Sequence, residues 1–101
     1  MSTELNKLFS LEGKKAMVIG GAGGIGQAIA TGLAAYGADT AIASRNMDKL
    51  KAAAAEIEAK TGKKVRVYQV DVSDEKSIQD LVAATRADVG ITDILVNSQG
   101  L

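Results

Sequence analysis

The chain has 101 residues, 47% of them hydrophobic, and its twelve basic and twelve acidic side chains balance to a formal net charge of zero. That size and composition suit one globular domain with a single core, and the scattered charge offers no basic face to nucleic acid or to an anionic membrane. Cysteine and histidine are both absent, which excludes disulfides and thiol nucleophiles and leaves no ordinary zinc ligand set. No apolar run approaches the roughly 20 residues needed to span a bilayer. Glu4 stands where a secretory signal would be basic and then apolar, so a soluble cytoplasmic protein is expected.

In chain order, residues 1–12 read as a leader in which Leu8, Phe9 and Leu11 can dock on the core, and Gly13 turns the chain into a short buried strand, Lys15 to Ile19. Gly20-Gly21-Ala22-Gly23-Gly24-Ile25-Gly26 then forms a strand-to-helix turn. The helix that follows, from about Gly24 to Tyr36, has Ile25, Ile29, Leu33 and Tyr36 at helical spacing, which predicts one apolar face. Gly37 supplies the left-handed residue after it. Thr40 to Ala43 reads as a second strand. Asn46 is placed to cap a helix from about Met47 to Lys60, with Leu50, Ala53, Ala54 and Ile57 on its buried edge and Gly62 as its stop. Val65 to Val70 is a third strand. Ser73 reads as the cap of a further helix, with Asp74 and Glu75 in its first turn and Ile78, Leu81, Val82 and Thr85 on its apolar side. Ile94 to Val96 is a fourth strand.

Strand and helix alternate at short spacing, the pattern of a parallel sheet with helices on both faces. Right-handed crossovers give a Rossmann-like α/β fold of strand order 3-2-1-4. The glycine turn falls at the carboxyl end of strand 1, beside the crevice where the order reverses. A helix that begins there has N–H groups without intrahelical partners and the positive end of its dipole, so a phosphate is its natural occupant. The run fits G-x-G-x-x-G through Gly21, Gly23 and Gly26, and G-x-x-x-G-x-G through Gly20, Gly24 and Gly26.

These residues resemble the short-chain dehydrogenase/reductase family over essentially the whole chain from about Phe9 onward. The family's T-G-x-x-x-G-I-G is matched by Gly20, Gly24, Ile25 and Gly26, with Ile19 in place of the threonine whose hydroxyl ties the turn to the motif after strand 4. Asp71-Val72 resembles the aspartate and apolar residue that meet the adenine. The family's N-N-A-G is met by Asn97-Ser98-Gln99-Gly100, in which Asn97 and Gly100 match while Ser98 and Gln99 do not. The two departures fall at positions that the family brings together. The resemblance implies a cofactor site built from Gly20, Gly23, Gly24, Ile25, Gly26, Ser44, Arg45, Asn46, Asp71, Val72, Asn97 and Gly100.

Cofactor choice is read at the end of strand 2. A carboxylate there would hold the ribose hydroxyls of NAD; this chain has Ser44-Arg45-Asn46. Arg45 can meet a 2′-phosphate with two parallel charge-assisted bonds, and Ser44 and Asn46 can add neutral ones, so NADP is expected ahead of NAD. Gly23 counts the other way, because many NADP-using relatives carry a basic residue there. The family's catalysis resembles acid–base chemistry by a tyrosine with a lysine four residues later and a serine nearby. Tyr36 is followed at that distance by Thr40, and Tyr68 by Val72, so no catalytic residue is assigned in this chain.

The reading is thus the N-terminal, cofactor-binding part of an oxidoreductase that, when complete, moves a hydride between NADP(H) and a carbonyl or alcohol. A non-catalytic nucleotide-binding module is the rival. A methyltransferase-like fold for S-adenosylmethionine is disfavoured by the missing acid after strand 2. Ile94-Leu95-Val96 at a sheet edge leads to an expectation of self-association.

Overall fold

The computed structural model describes residues 9–98. Four strands, β1 (Lys15–Ile19), β2 (Asp39–Ser44), β3 (Arg66–Gln69) and β4 (Ile94–Asn97), alternate with three helices, α1 (Gly24–Ala35), α2 (Met47–Thr61) and α3 (Glu75–Asp88). The strands form one parallel sheet in the order β3-β2-β1-β4. This Rossmann-like order is the expected one. Among the described residues no helix is long and apolar enough to cross a membrane.

Register explains how the sheet divides its side chains. In-register partners on parallel strands share a face, so Val96, Val18, Ile42 and Val67 make one row across all four strands. Val18 and Ile42 are fully buried there with Ala30 and Ala34 of α1 and with Leu50, Ala53 and Ile57 of α2. The opposite face carries the row Leu95, Met17, Ala41 and Arg66. It is covered by α3, with Met17, Ala41, Ala43, Val70 and Leu81 at its centre. Gln27 Nε2 of α1 donates to Glu56 Oε2 of α2 at 2.6 Å, joining the two helices of the first face.

Helix α1 corrects the sequence expectation about its packing face. The deeply buried positions are Gly26, Ala30 and Ala34, whereas Ile25 is 62% exposed and Tyr36 48%. Ile29 and Leu33 flank the small-residue stripe and pack partly against the core. The reason is separation: a helix that starts immediately after its strand lies close to the sheet, and only small side chains fit beneath it.

The caps divide similarly. Asn46 accepts from Lys49 N–H at 3.1 Å, and Gly62 ends α2 in the left-handed conformation with φ 72°, both as anticipated. For α3 the cap is Asp74, accepting from Lys76 N–H at 3.0 Å, and not Ser73. Ser73 is engaged with Asp71 instead, its N–H and hydroxyl both donating to Asp71 Oδ1 at 3.0 and 2.6 Å. On α3, Leu81 and Thr85 are buried, while Ile78 and Val82 are partly exposed.

The edge strand β4 is held to β1 at its start by reciprocal bonds, Lys15 N–H to Asp93 Oδ2 at 2.9 Å and Asp93 N–H to Lys15 O at 2.8 Å. Lys15 Nζ also donates to Val89 O, just past the end of α3. Of the leader, Phe9 is exposed and Leu11 half-buried, with Leu11 N–H bonded to Tyr36 O at 2.7 Å; Leu8 lies outside the described residues.

Candidate cofactor site

All four strands run the same way, so their carboxyl ends bring together segments far apart in sequence. Three bonds extend the ladder past the strands at that end: Gly20 N–H to Ala43 O at 2.7 Å, Val70 N–H to Ser44 O at 2.8 Å, and Ser98 N–H to Ile19 O at 2.9 Å. They fix where the glycine turn, the Ser44–Asn46 segment, the Asp71 loop and the end of β4 emerge.

The glycine turn has two physical requirements. Gly24, the first residue of α1, has φ 59° with open space where a side chain would be, a conformation that L-residues avoid. Gly26 is constrained by contact. A Cβ there would stand 2.1 Å from Gly20 O and 2.5 Å from Ser98 Oγ, a collision with backbone that no rotamer relieves. The helix therefore begins as close to β1 as a backbone can come. The first intrahelical bond shown at this end runs from Gln27 N–H to Gly23 O at 3.2 Å. The N–H groups of Gly24, Ile25 and Gly26 precede it, no side chain among the described residues caps the helix, and its first turn carries no acid. The positive end of the dipole is left for an external anion. Gly23, exposed with φ 96°, and the exposed Ile25 flank that position. Gly21, which the sequence reading left out of the site, serves packing, since a Cβ there would lie 2.7 Å from Ile42 Cγ2.

Beyond β2, Arg45 lines two neighbouring cavities. One, of about 610 Å³, is bounded by Arg45, Asn46, Met47, Asp48, Lys49 and Gln69. The other, of about 330 Å³, is bounded by Arg45, Gln69, Val70, Asp71 and Ser77. Arg45 and Gln69 are common to both, and Gln69 Nε2 donates to Arg45 O at 2.9 Å, which steadies the arginine's backbone. Ser44 is placed differently from its neighbours: its hydroxyl oxygen is buried and has no hydrogen-bond partner among the described residues. Asn46 spends its side-chain oxygen on the cap of α2.

Asp71 is held in place from two sides. Its carboxylate accepts the two bonds from Ser73, which keep its pKa below the ordinary value of 3.8, with Arg45 adding a smaller effect in the same direction. Its N–H donates to Ser77 Oγ at 2.9 Å. Asp71 is thus an anionic acceptor beside Arg45, and Val72 is partly exposed next to it. Gln69 and Ser77 were not singled out from sequence. Neither occupies a motif position, and only the fold brings them to Arg45 and Asp71.

At β4, Asn97 pairs in register with Ile19. Ser98 is buried, and its hydroxyl donates toward Ile19 O at 3.0 Å and Gly20 O at 3.1 Å. This hydroxyl reaches the entrance of the glycine turn from the residue after β4, the parallel neighbour of β1. Gln99 and Gly100 lie outside the described residues. Of the two tyrosines, Tyr36 is exposed past the end of α1. Tyr68 donates its hydroxyl to Asp88 Oδ2 at 2.9 Å. Burial, and then that bond, push the phenol pKa up from 10.0, the opposite of what a general acid–base at neutral pH requires. Among the described residues no group of three or more acidic side chains could hold a metal ion.

Comparison with known proteins agrees with this fold. Residues 14–101 match the short chain dehydrogenase family. Gluconate 5-dehydrogenase of Gluconobacter oxydans is 43% identical over 94 residues, which are 93% of this chain and 36% of that protein. The crystal structure of 2-keto-3-deoxy-D-gluconate dehydrogenase from Streptococcus agalactiae superposes with a TM-score of 0.87 at 37% identity, covering 100% of this chain and 38% of the other. L-Sorbose reductase from Gluconobacter frateurii, solved with NADPH and L-sorbose, gives a TM-score of 0.85 at 36% identity over 92% of this chain and 35% of the other. The chain thus spans little more than a third of the length of these relatives. On the match over residues 14–101, with its fold and glycine turn, the chain belongs to the short-chain dehydrogenase family.

Proposed function

We propose that this chain is the nucleotide-binding part of a short-chain oxidoreductase that prefers NADP(H) to NAD(H) and, in its complete form, moves a hydride between the nicotinamide and a carbonyl or alcohol substrate. The observation that carries the reading is the uncapped start of α1 at Gly23–Gly26, facing the same end of the sheet as Arg45. The pyrophosphate would meet the N–H groups of Gly24, Ile25 and Gly26. Arg45 would take the 2′-phosphate, with Ser44 and Asn46 beside it. Asp71 and Val72 would meet the adenine, and Asn97 and Gly100 would lie toward the ribose and nicotinamide. The bound dinucleotide supplies the hydride chemistry; these residues supply position and charge. Asp48 and Lys49, which share the larger cavity with Arg45, carry opposite charges, so Arg45 sets its sign. The L-sorbose reductase complex with NADPH supports the choice of cofactor.

Calorimetric titration of the purified chain tests the preference. NADPH should bind at least about tenfold more tightly than NADH, since a charge-assisted bond is worth ~1.5–3 kcal/mol. Arg45→Asp should reverse the order, and equal affinities in the unmutated chain would remove the argument. With no Tyr-Lys pair at a spacing of four, the chain alone should bind cofactor without turning over ketones or aldehydes. Steady NADPH oxidation that follows the protein through chromatography would contradict that.

We further propose that the chain self-associates through β4. Ile94–Val96 pairs with β1 on one side, and among the described residues β4 is an edge strand of the sheet, a position that offers a template for another strand. Leu95, 66% exposed on it, adds apolar surface.

A further inference from the structure

We propose that Ser98 is a positioning residue for the glycine turn, taking over from β4 the tie for which position 19 has no hydroxyl. This rests on the reading of the turn as a dinucleotide site. Ser98 follows β4 and is buried, with two donors aimed at the turn's entrance: its N–H reaches Ile19 O at 2.9 Å, and its hydroxyl lies 3.0 Å from Ile19 O and 3.1 Å from Gly20 O. A hydroxyl has one hydrogen, so the last two contacts are a single donor shared between consecutive carbonyls. Each carbonyl belongs to a rigid trans peptide plane. Holding both oxygens therefore fixes the two planes through which the chain leaves β1, and fixes the side to which the following N–H groups point.

The same hydroxyl also sits against the start of α1. Gly20 O and Ser98 Oγ are the two nearest atoms that a Cβ on Gly26 would strike, so turn, helix and β4 meet at one point. The N–H groups of Gly24, Ile25 and Gly26 are carried on that junction. Loss of the hydroxyl leaves Gly20 O free to swing and the pyrophosphate donors less well aimed. The part of the site around Arg45 depends on β2, β3 and Gln69, and does not pass through Ser98.

This division gives a test that separates positioning from general stability. The unmutated chain and Ser98→Ala are titrated with NADPH and with adenosine 2′-monophosphate, which presents a 2′-phosphate but no pyrophosphate. Circular dichroism confirms folding. Ser98→Ala should bind NADPH about tenfold more weakly and adenosine 2′-monophosphate as well as before. Parallel weakening of both ligands would make Ser98 a structural residue only and overturn the proposal, as would unchanged affinity for NADPH. If Ser98→Ala does not fold, Ser98→Cys, somewhat larger and a weak donor, is compared in the same way and judged by the same two outcomes. If the unmutated chain binds no NADPH, the reading of the turn as a cofactor site fails and this proposal fails with it; if it binds and the variant binds equally, only the proposal for Ser98 fails.

Discussion

The two faces of the sheet are built from alternate residues of the same strands, and they end in different states. On the α1/α2 face, the row Val96, Val18, Ile42 and Val67 is aliphatic and β-branched from edge to edge and lies beneath two helices. On the α3 face, the matching row runs Leu95, Met17, Ala41, Arg66, and one helix covers it. A groove of about 400 Å³ remains between α3 and β4, lined by Met17, Ile19, Ile78, Val82, Ile91 and Leu95 among others. Ile78 is 39% exposed, Val82 51% and Ile91 73%. Burial on the first face is complete enough to fix α1 and the glycine turn against β1. The second face leaves apolar surface in water and contributes less to holding the fold.

The comparison is broken most strongly by truncating one side chain on each face. Leu50→Ala removes a fully buried side chain from the α1/α2 core and should cost about 2–5 kcal/mol in urea unfolding. Val82→Ala, on the groove, should cost no more than about 0.5 kcal/mol. Similar losses for both would mean that the second face is as well packed as the first.

Leu95→Lys probes the same contrast through association. The side chain is exposed at the edge of the second face, so the lysine disturbs no core, while its charge opposes pairing with another strand. Sedimentation at micromolar concentration should show fewer dimers and larger species than the unmutated chain, with an unchanged circular dichroism spectrum. A stable monomer before mutation would dispose of the edge argument.

The smallest effect expected lies in the loop between β3 and α3. Because the two bonds from Ser73 depress the Asp71 pKa in the folded state, their stabilisation is present above the ordinary value of 3.8 and is lost as pH falls through the depressed one. Ser73→Ala should therefore lower stability at neutral pH slightly, and the gap between variant and unmutated chain should close in acid below that range. A gap independent of pH would assign the loss to something other than the Asp71 charge.

Much of the architecture was legible from residues close together in the chain. Alternation of strand and helix with short connections determines a parallel order, and the glycine run after β1 marks where a helix must begin near backbone. Asn46 and Gly62 bound α2 by bonds within their own turns, which is why they could be read locally. The site segments Gly20–Gly26, Ser44–Asn46 and Asp71–Val72 lie at or just past the carboxyl ends of their strands, and the strand order alone brings them to one end of the sheet.

The tertiary structure decided what depends on distance and separation. Spacing marked Ile25 and Tyr36 on α1 as apolar, but the close approach of that helix to β1 selected Gly26, Ala30 and Ala34 for burial. Ser73 had the chemistry of a cap, and Asp71 drew it away because the loop folds back on itself. Gln69 supports Arg45 from 24 residues away, and Ser98 reaches the Gly20 carbonyl across 78. A hydrogen bond is specified by two groups meeting at about 3 Å, and for residues so far apart in the chain only the register of the assembled sheet brings them to that distance.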